Sequence, residues 1–140
     1  AVGEAYWATY LTALRDRLKP GGCAALQIIT MDDAAFPAYR ANPDFIQLYI
    51  FPGGMLPSPS AFAAAVDDAG LTIVDTLFFG LSYAETLRRW DRDFVDAWPA
   101  IRDQGFDERF RRMWRYYLCY CEVGFDIGRI DVGHFTIVRE

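Results

Sequence analysis

The chain has 140 residues, 53% of them hydrophobic and 16% aromatic, which is enough apolar surface for one compact core and too much for a disordered segment. A formal net charge of -5 supplies no basic face to follow a phosphate backbone and argues against nucleic acid as a partner. No run approaches the roughly eighteen apolar residues of a membrane span, and AVGEAYWATY has no basic segment leading into an apolar one, so the chain reads as soluble and cytoplasmic.

In chain order, Tyr6, Trp7, Tyr10, Leu11, Leu14 and Leu18 recur at three- and four-residue steps and predict an amphipathic helix that Pro20-Gly21-Gly22 stops. CAALQIITM, Cys23 to Met31, has the length and composition of a buried strand. A long irregular segment is expected from Asp32 to Pro57. It contains YIFPGGMLPS, Tyr49 to Ser58, whose prolines exclude a helix interior. An apolar loop of that kind packs under something or wraps around something. Ser58 as N-cap, Pro59 at the first helical position and Gly70 past the end define a short helix.

LTIVDTLFFG, Leu71 to Gly80, is the second predicted strand. Ser82 and Glu85 have capping-box spacing and predict the start of a helix with Leu87, Trp90, Phe94, Trp98 and Ile101 along one stripe. Pro99 should kink or end it. After Gly105, Phe110, Met113, Trp114, Tyr117, Leu118 and Cys121 predict another helix, and VGHFTIV a closing strand. Cys23, Cys119 and Cys121 suit neither a redox pair nor a zinc knuckle and are expected as buried free thiols. His134 is the sole histidine, with no ligand cluster for a metal around it. This order is α/β but looks incomplete: three strands are few for so many helices, and no glycine-rich turn follows a first strand.

LKPGG before a strand, then YIFPGGMLPS, FFGLSYAETLRRW and FRRMWRYYLCYCEVGF, in that order and at matching spacing, resemble the C-terminal half of the cyclopropane-fatty-acyl-phospholipid synthase family, which includes mycolic acid cyclopropane synthases. The resemblance covers essentially the whole chain. It implies the C-terminal part of a class I, Rossmann-like methyltransferase sheet, with three mixed strands and an extra helical insertion for the lipid site. CAALQIITM would be the fifth strand, LTIVDTLFFG the sixth, and VGHFTIVRE the seventh, antiparallel and inserted between the other two. Residues 1–140 would then be one partial domain, opening inside an E-x-V-G motif of which Ala1, Val2 and Gly3 remain. The cofactor, S-adenosylmethionine, would be held by a half that lies upstream, so no cofactor-binding residue is expected here and the piece alone should be inactive.

What the resemblance implies for function is methyl transfer from S-adenosylmethionine to the cis double bond of a phospholipid acyl chain, with bicarbonate removing a proton to close a cyclopropane. A methyl- or methylene-branched product, or a lipid-binding or dimerising module without chemistry, are the alternatives. The bicarbonate site would comprise Tyr83, in a YxxTLxxW motif with Thr86, Leu87 and Trp90; Gln27, where the family has a histidine; and the backbone amide of Ile29. Glutamine keeps hydrogen-bond donors but cannot titrate. Packing of Tyr83 on Leu87 and backbone bonding of Gln27 are the structural alternatives.

Tyr49, Ile50, Phe51, Gly53, Gly54, Met55 and Leu56 would wall an apolar pocket, or simply cover the sheet; Tyr117 and His134 would line the same pocket. His134 lies near where the family often places a glutamine. Arg88, Arg89, Arg92, Arg109, Arg111, Arg112 and Arg115 beside aromatics suit anionic headgroups, and therefore peripheral contact with the inner membrane face, or form a solvated basic surface. An uncovered strand edge predicts homo-oligomerisation.

Overall fold

The computed structural model describes residues 3–140; Ala1 and Val2 of the expected E-x-V-G remnant lie outside the described residues. A short 3-10 turn, Glu4–Tyr6, leads into helix α1, Trp7–Arg17. The helix ends at Leu18, and the Pro-Gly-Gly turn follows, with Gly21 at φ 72° and the Gly22 N–H donating to Lys19 O at 2.8 Å.

Strands β1 (Cys23–Met31), β2 (Thr72–Phe78) and β3 (Ile130–Val138) form one sheet in the order β1-β3-β2, with both pairings antiparallel. The last strand is inserted between the other two, as the resemblance implies. Strand alternation gives the sheet two apolar faces. Leu26, Ile28, Phe135 and Ile137 face Leu11 of α1 and Phe62 and Val66 of α4, Pro59–Asp68. Ile29, Ile130 and Val132 face Ala84, Leu87, Leu118 and Phe125. The last four come from α5 (Gly80–Arg102) and α6 (Glu108–Asp126), a pair of long helices packed against each other.

Helix α4 has the expected ends: Ser58 Oγ accepts from the Ala61 N–H, Pro59 opens the helix, and Gly70 takes φ 70° just past it. Several expectations differ from what is found. The segment from Asp32 to Pro57 is not irregular throughout but holds α2 (Phe36–Ala41) and α3 (Phe45–Tyr49). Such helices are too short to display a period. The capping box belongs to α3, where Asp44 and Gln47 satisfy each other's backbone N–H groups. Ser82 lies inside α5, which begins at Gly80 with no cap from the preceding side chain. Asp131 of β3 supplies it instead, its Oδ1 accepting from Gly80 N–H at 2.9 Å and Val132 N–H at 2.7 Å. Glu85, freed from capping, pairs with Arg88 and Arg89. Pro99 does not end α5, which runs on to Arg102; this close to the C-terminus a missing N–H removes only one ladder bond. Of the three free thiols Cys121 is buried, whereas Cys23 and Cys119 are exposed.

Candidate active site at the carboxyl ends of the strands

In open α/β sheets the crevice outside the carboxyl ends of the strands is where ligands bind. Here β1 ends at Met31, whose N–H turns away from β3 to Pro57 O at 2.9 Å. Antiparallel alternation therefore sends the Ile29 N–H to the same open edge. Gln27 and His134 are register partners across the β1–β3 ladder, and their side chains meet, His134 Nε2 lying 3.1 Å from Gln27 Oε1. Gln27 is thus exposed and paired with a side chain rather than buried and tied to backbone. The imidazole also lies edge-on to Phe79, with centroids 4.7 Å apart.

One helical turn beyond Phe79, the Tyr83 N–H donates to Phe79 O. The Tyr83 ring sits edge-on to Phe125 at 5.2 Å and Trp90 at 5.9 Å, and packs in the same cluster as Leu87. Packing thus fixes the ring without using its hydroxyl. Tyr117, half-buried on α6, has its pKa pushed up to about 12 by burial, with smaller contributions from the Cys121 thiol and the Tyr83 phenol. Burial, assisted by the Asp44 carboxylate, likewise raises Cys121 to about 12. Burial favours the neutral form of both groups.

The YIFPGGMLPS loop reaches this cluster through Phe51. Phe51 meets the Tyr117 ring edge-on at 6.1 Å. Gly53 turns the chain at φ 77°, Gly54 N–H donates to Phe51 O, and Gln47 Nε2 donates to Gly54 O at 3.0 Å. Leu56 N–H donates to the buried Tyr39 hydroxyl at 3.2 Å. A Cβ on Gly3 would lie 2.8 Å from Gly53 O, so the close approach of these two strands of chain needs glycine there.

Gln27 and His134 thus come together on the sheet, and Tyr83, Tyr117 and Phe51 on the adjoining helices and loop. Tyr49 lies apart, 61% exposed on α3 with its ring tilted against Phe45 at 5.5 Å, and the Phe45 ring also meets Tyr116 and Tyr120. Trp114 was named on the predicted helical stripe, whereas Phe79, Phe125 and Tyr39 were not singled out from the sequence. Phe125 continues that stripe one turn beyond Cys121, a signal that could have found it, and Phe79 is placed by tertiary packing alone.

The arginines are largely compensated. Arg115 forks onto both Asp91 oxygens at 2.8 and 2.9 Å, which holds the Asp91 carboxyl below its usual range. Arg88 meets Glu122 and Asp126, and Arg111 meets Glu108 while lying over the Trp98 ring. Among the described residues, Arg109 and Arg112 are the members of the set without a carboxylate within 4 Å. A depression of about 330 Å³ opens among Glu108, Arg111, Arg112 and Arg115, and one of about 200 Å³ among Thr30, Asp32, Asp33, Pro59, Phe78, Gly128 and Asp131. Neither includes Gln27, Tyr83 or His134. No helix is long and apolar enough to cross a membrane, and no acidic, thiol or imidazole cluster could hold a metal ion, among the described residues.

The family model for mycolic acid cyclopropane synthetase matches residues 1–135. Over the whole chain the sequence is 44% identical to 33% of the tuberculostearic acid methyltransferase UfaA1 of Mycobacterium tuberculosis. Over 99% of it, it is 36% identical to 35% of the cyclopropane-fatty-acyl-phospholipid synthase of Escherichia coli K12. The fold is similar to that of the cyclopropane synthase MmaA2 of M. tuberculosis, with a TM-score of 0.85 and 26% identity over 98% of this chain and 51% of that one. It is also similar to mycolic acid cyclopropane synthase CmaA1 complexed with SAH and CTAB, with a TM-score of 0.80 and 27% identity over 96% and 50% of the two chains. The chain thus spans about a third of the length of these curated relatives and about half of the solved chains.

Proposed function

Because the chain belongs to the mycolic acid cyclopropane synthetase family, we propose that it forms the acyl-chain side of an S-adenosylmethionine-dependent C-methyltransferase acting on the cis double bond of a phospholipid acyl chain. Residues 1–140 are read as the C-terminal half of that enzyme's methyltransferase domain. The residues here do not fit the cofactor. The acids after β1 are engaged within the chain, Asp32 Oδ1 accepting from the Ala34 and Ala35 N–H groups and Asp33 from Ser60 Oγ at 2.9 Å. We therefore assign S-adenosylmethionine to the other half of the domain.

The observation that carries this reading is the cluster of Tyr83, Tyr117 and Phe51, whose surroundings suppress ionisation of Tyr117 up to about pH 12. An alkene that gains a methyl group becomes a carbocation, and water would trap that cation as an alcohol. Aromatic and apolar walls exclude water. A negative charge beside the cation stabilises it, and bicarbonate suits the donors available: the Tyr83 hydroxyl, the Ile29 N–H and the Gln27 amide. Loss of a proton from the cation then closes a cyclopropane.

A second product is favoured by one specific departure, glutamine at position 27, together with the 44% identity to a protein named as a tuberculostearic acid methyltransferase. In that reading the same cation loses its proton without closing a ring and ends as a methylene-branched acyl chain, or as a methyl-branched one that keeps a double bond. The exposed apolar side chains of β2, Val74 and Leu77, together with the aromatics near Arg109 and Arg112, support self-association and contact with an anionic membrane surface. The test uses the protein expressed at its native length, isotopically methyl-labelled S-adenosylmethionine and vesicles of cis-unsaturated phospholipid, with the acyl products resolved by mass spectrometry. Label in an acyl chain enlarged by CH2 supports the reading; no label in lipid overturns it.

A further inference from the structure

We propose that α3 and the outer face of α6 dock this protein on an anionic phospholipid bilayer, a reading that rests on the phospholipid substrate proposed above and says how its acyl chain arrives. Arg109, Arg112, Tyr116, Tyr120 and Val123 of α6, and Ile127 at its C-cap, follow one another at three- and four-residue steps and so form one stripe along the helix. The core-facing stripe is a different one, through Leu118, Cys121 and Phe125. Phe45 of α3 packs on Tyr116 and Tyr120, which brings α3, with Leu48 and Tyr49, alongside. Tyr116, Tyr120, Val123, Ile127, Leu48 and Tyr49 are each between 40% and 68% exposed. Single apolar residues scattered over a surface need no explanation, but a contiguous group calls for a partner.

Charge selects the occupant. The net charge of -5 would repel an anionic bilayer if it were spread evenly, and it is not. Arg109 and Arg112 at the start of the stripe and Arg129 just beyond its end are exposed, and among the described residues they have no carboxylate within 4 Å. The arginines of α5 that lie off this face, Arg88, Arg89 and Arg92, are all paired with acids. The acids that border the stripe are themselves engaged. Asp44 caps α3 and accepts from the Tyr120 hydroxyl at 3.3 Å, and Glu108 accepts from Trp98 Nε1 at 3.2 Å and pairs with Arg111. Uncompensated arginines at both ends of a face of tyrosines and aliphatic side chains match a bilayer interface, with guanidinium groups at the phosphates, phenols among the headgroups and aliphatic groups below them.

Two further observations agree with a lipid surface. Arg112 also lines the depression of about 330 Å³ that it shares with Glu108, Arg111 and Arg115, and the Arg111 Nε is buried there without a hydrogen-bond partner. An unspent guanidinium donor next to an arginine that lacks a counter-ion suits a phosphate oxygen. The face is also continuous with the candidate site. Helix α3 runs through Ile50 into the loop whose Phe51 touches Tyr117, and Tyr117 follows Tyr116 on α6. An acyl chain leaving a bilayer held against Tyr116 and Leu48 therefore meets Phe51 and Tyr117 next.

The test measures partition of the native-length protein onto vesicles by co-sedimentation, using phosphatidylcholine alone and phosphatidylcholine mixed with phosphatidylglycerol. The wild type should bind the mixed vesicles more tightly, and added salt should weaken that binding. An arginine at an anionic surface contributes about a fivefold factor, so Arg109→Gln with Arg112→Gln should lower partition onto mixed vesicles about 25-fold without moving the melting temperature. Arg89→Gln with Arg92→Gln changes the net charge equally but lies on α5 beside Glu85, and should change partition by less than about twofold. A tryptophan introduced by Leu48→Trp should be open to solvent in the lipid-free enzyme and quenched by brominated acyl chains on vesicles. A wild type that does not bind mixed vesicles overturns the inference, as does equal loss from both arginine pairs or loss from neither. A Leu48→Trp side chain already shielded without lipid also overturns it, because the rest of the chain or a second copy then covers this face. Vesicle binding with the expected arginine dependence, in an enzyme that transfers no methyl group to lipid, supports the docking face and overturns the proposed function alone.

Discussion

Tyr83→Phe separates the chemical from the structural role of that residue. The ring is fixed edge-on against Phe125 and Trp90, and phenylalanine keeps both contacts. Only the hydroxyl is lost. Folding should change by less than about 1 kcal/mol, the net worth of one ordinary hydrogen bond. If the hydroxyl donates to an anion beside the developing cation, its loss removes about 1.4–4 kcal/mol of transition-state stabilisation, a tenfold to thousandfold fall in turnover. The assay follows methyl label entering phospholipid at saturating donor, with thermal melts run in parallel and bicarbonate titrated into both enzymes. Added bicarbonate should return part of the lost rate. A Tyr83→Phe enzyme with wild-type turnover would refute the anion-binding role and leave Tyr83 a packing residue.

Asp131→Ala removes the acceptor that caps α5 and should destabilise the protein by about 0.5–2 kcal/mol, read as a lower urea midpoint. Gly80→Ala places a methyl group 2.5 Å from Asp131 Oδ1 and 3.1 Å from Phe125, and should cost about 1–3 kcal/mol although alanine favours helices; an unchanged midpoint would contradict the packing described. Tyr117 and Cys121 have pKa values raised from 10.0 and 9.0 to about 12 because burial favours their neutral forms. The stability they contribute is complete below about pH 9 and is lost as pH rises towards 12, and Cys121→Ala should flatten the early part of that decline in a pH series of melts. Phe51→Ala opens the wall against Tyr117 and should raise KM for the acyl substrate several-fold, with a smaller effect on the melting temperature.

The larger elements were legible because their signals are local. Ser58, Pro59 and Gly70 mark α4 through capping chemistry, and the stripe from Phe110 to Cys121 marks α6 through its period. The start of α5 was misread for the opposite reason: its cap comes from Asp131, 51 residues away, and no local motif reports it. The site was partly legible. Tyr83 and the aromatic loop could be singled out, and the contact of Phe51 with Tyr117 answers what the loop packs against. Gln27 was read by itself, as a departure from a pattern. Its partner His134 lies 107 residues further on, and only strand register brings them together.

The central claim is that these residues serve carbon methylation of an unsaturated acyl chain. Mass spectrometry of phospholipid from cells expressing the native-length protein, fed methyl-labelled methionine, tests it most directly. The account predicts labelled acyl chains enlarged by CH2 at the former double bond, strongly depleted in cells carrying Tyr83→Phe. Unaltered acyl chains in cells that hold folded protein would contradict it.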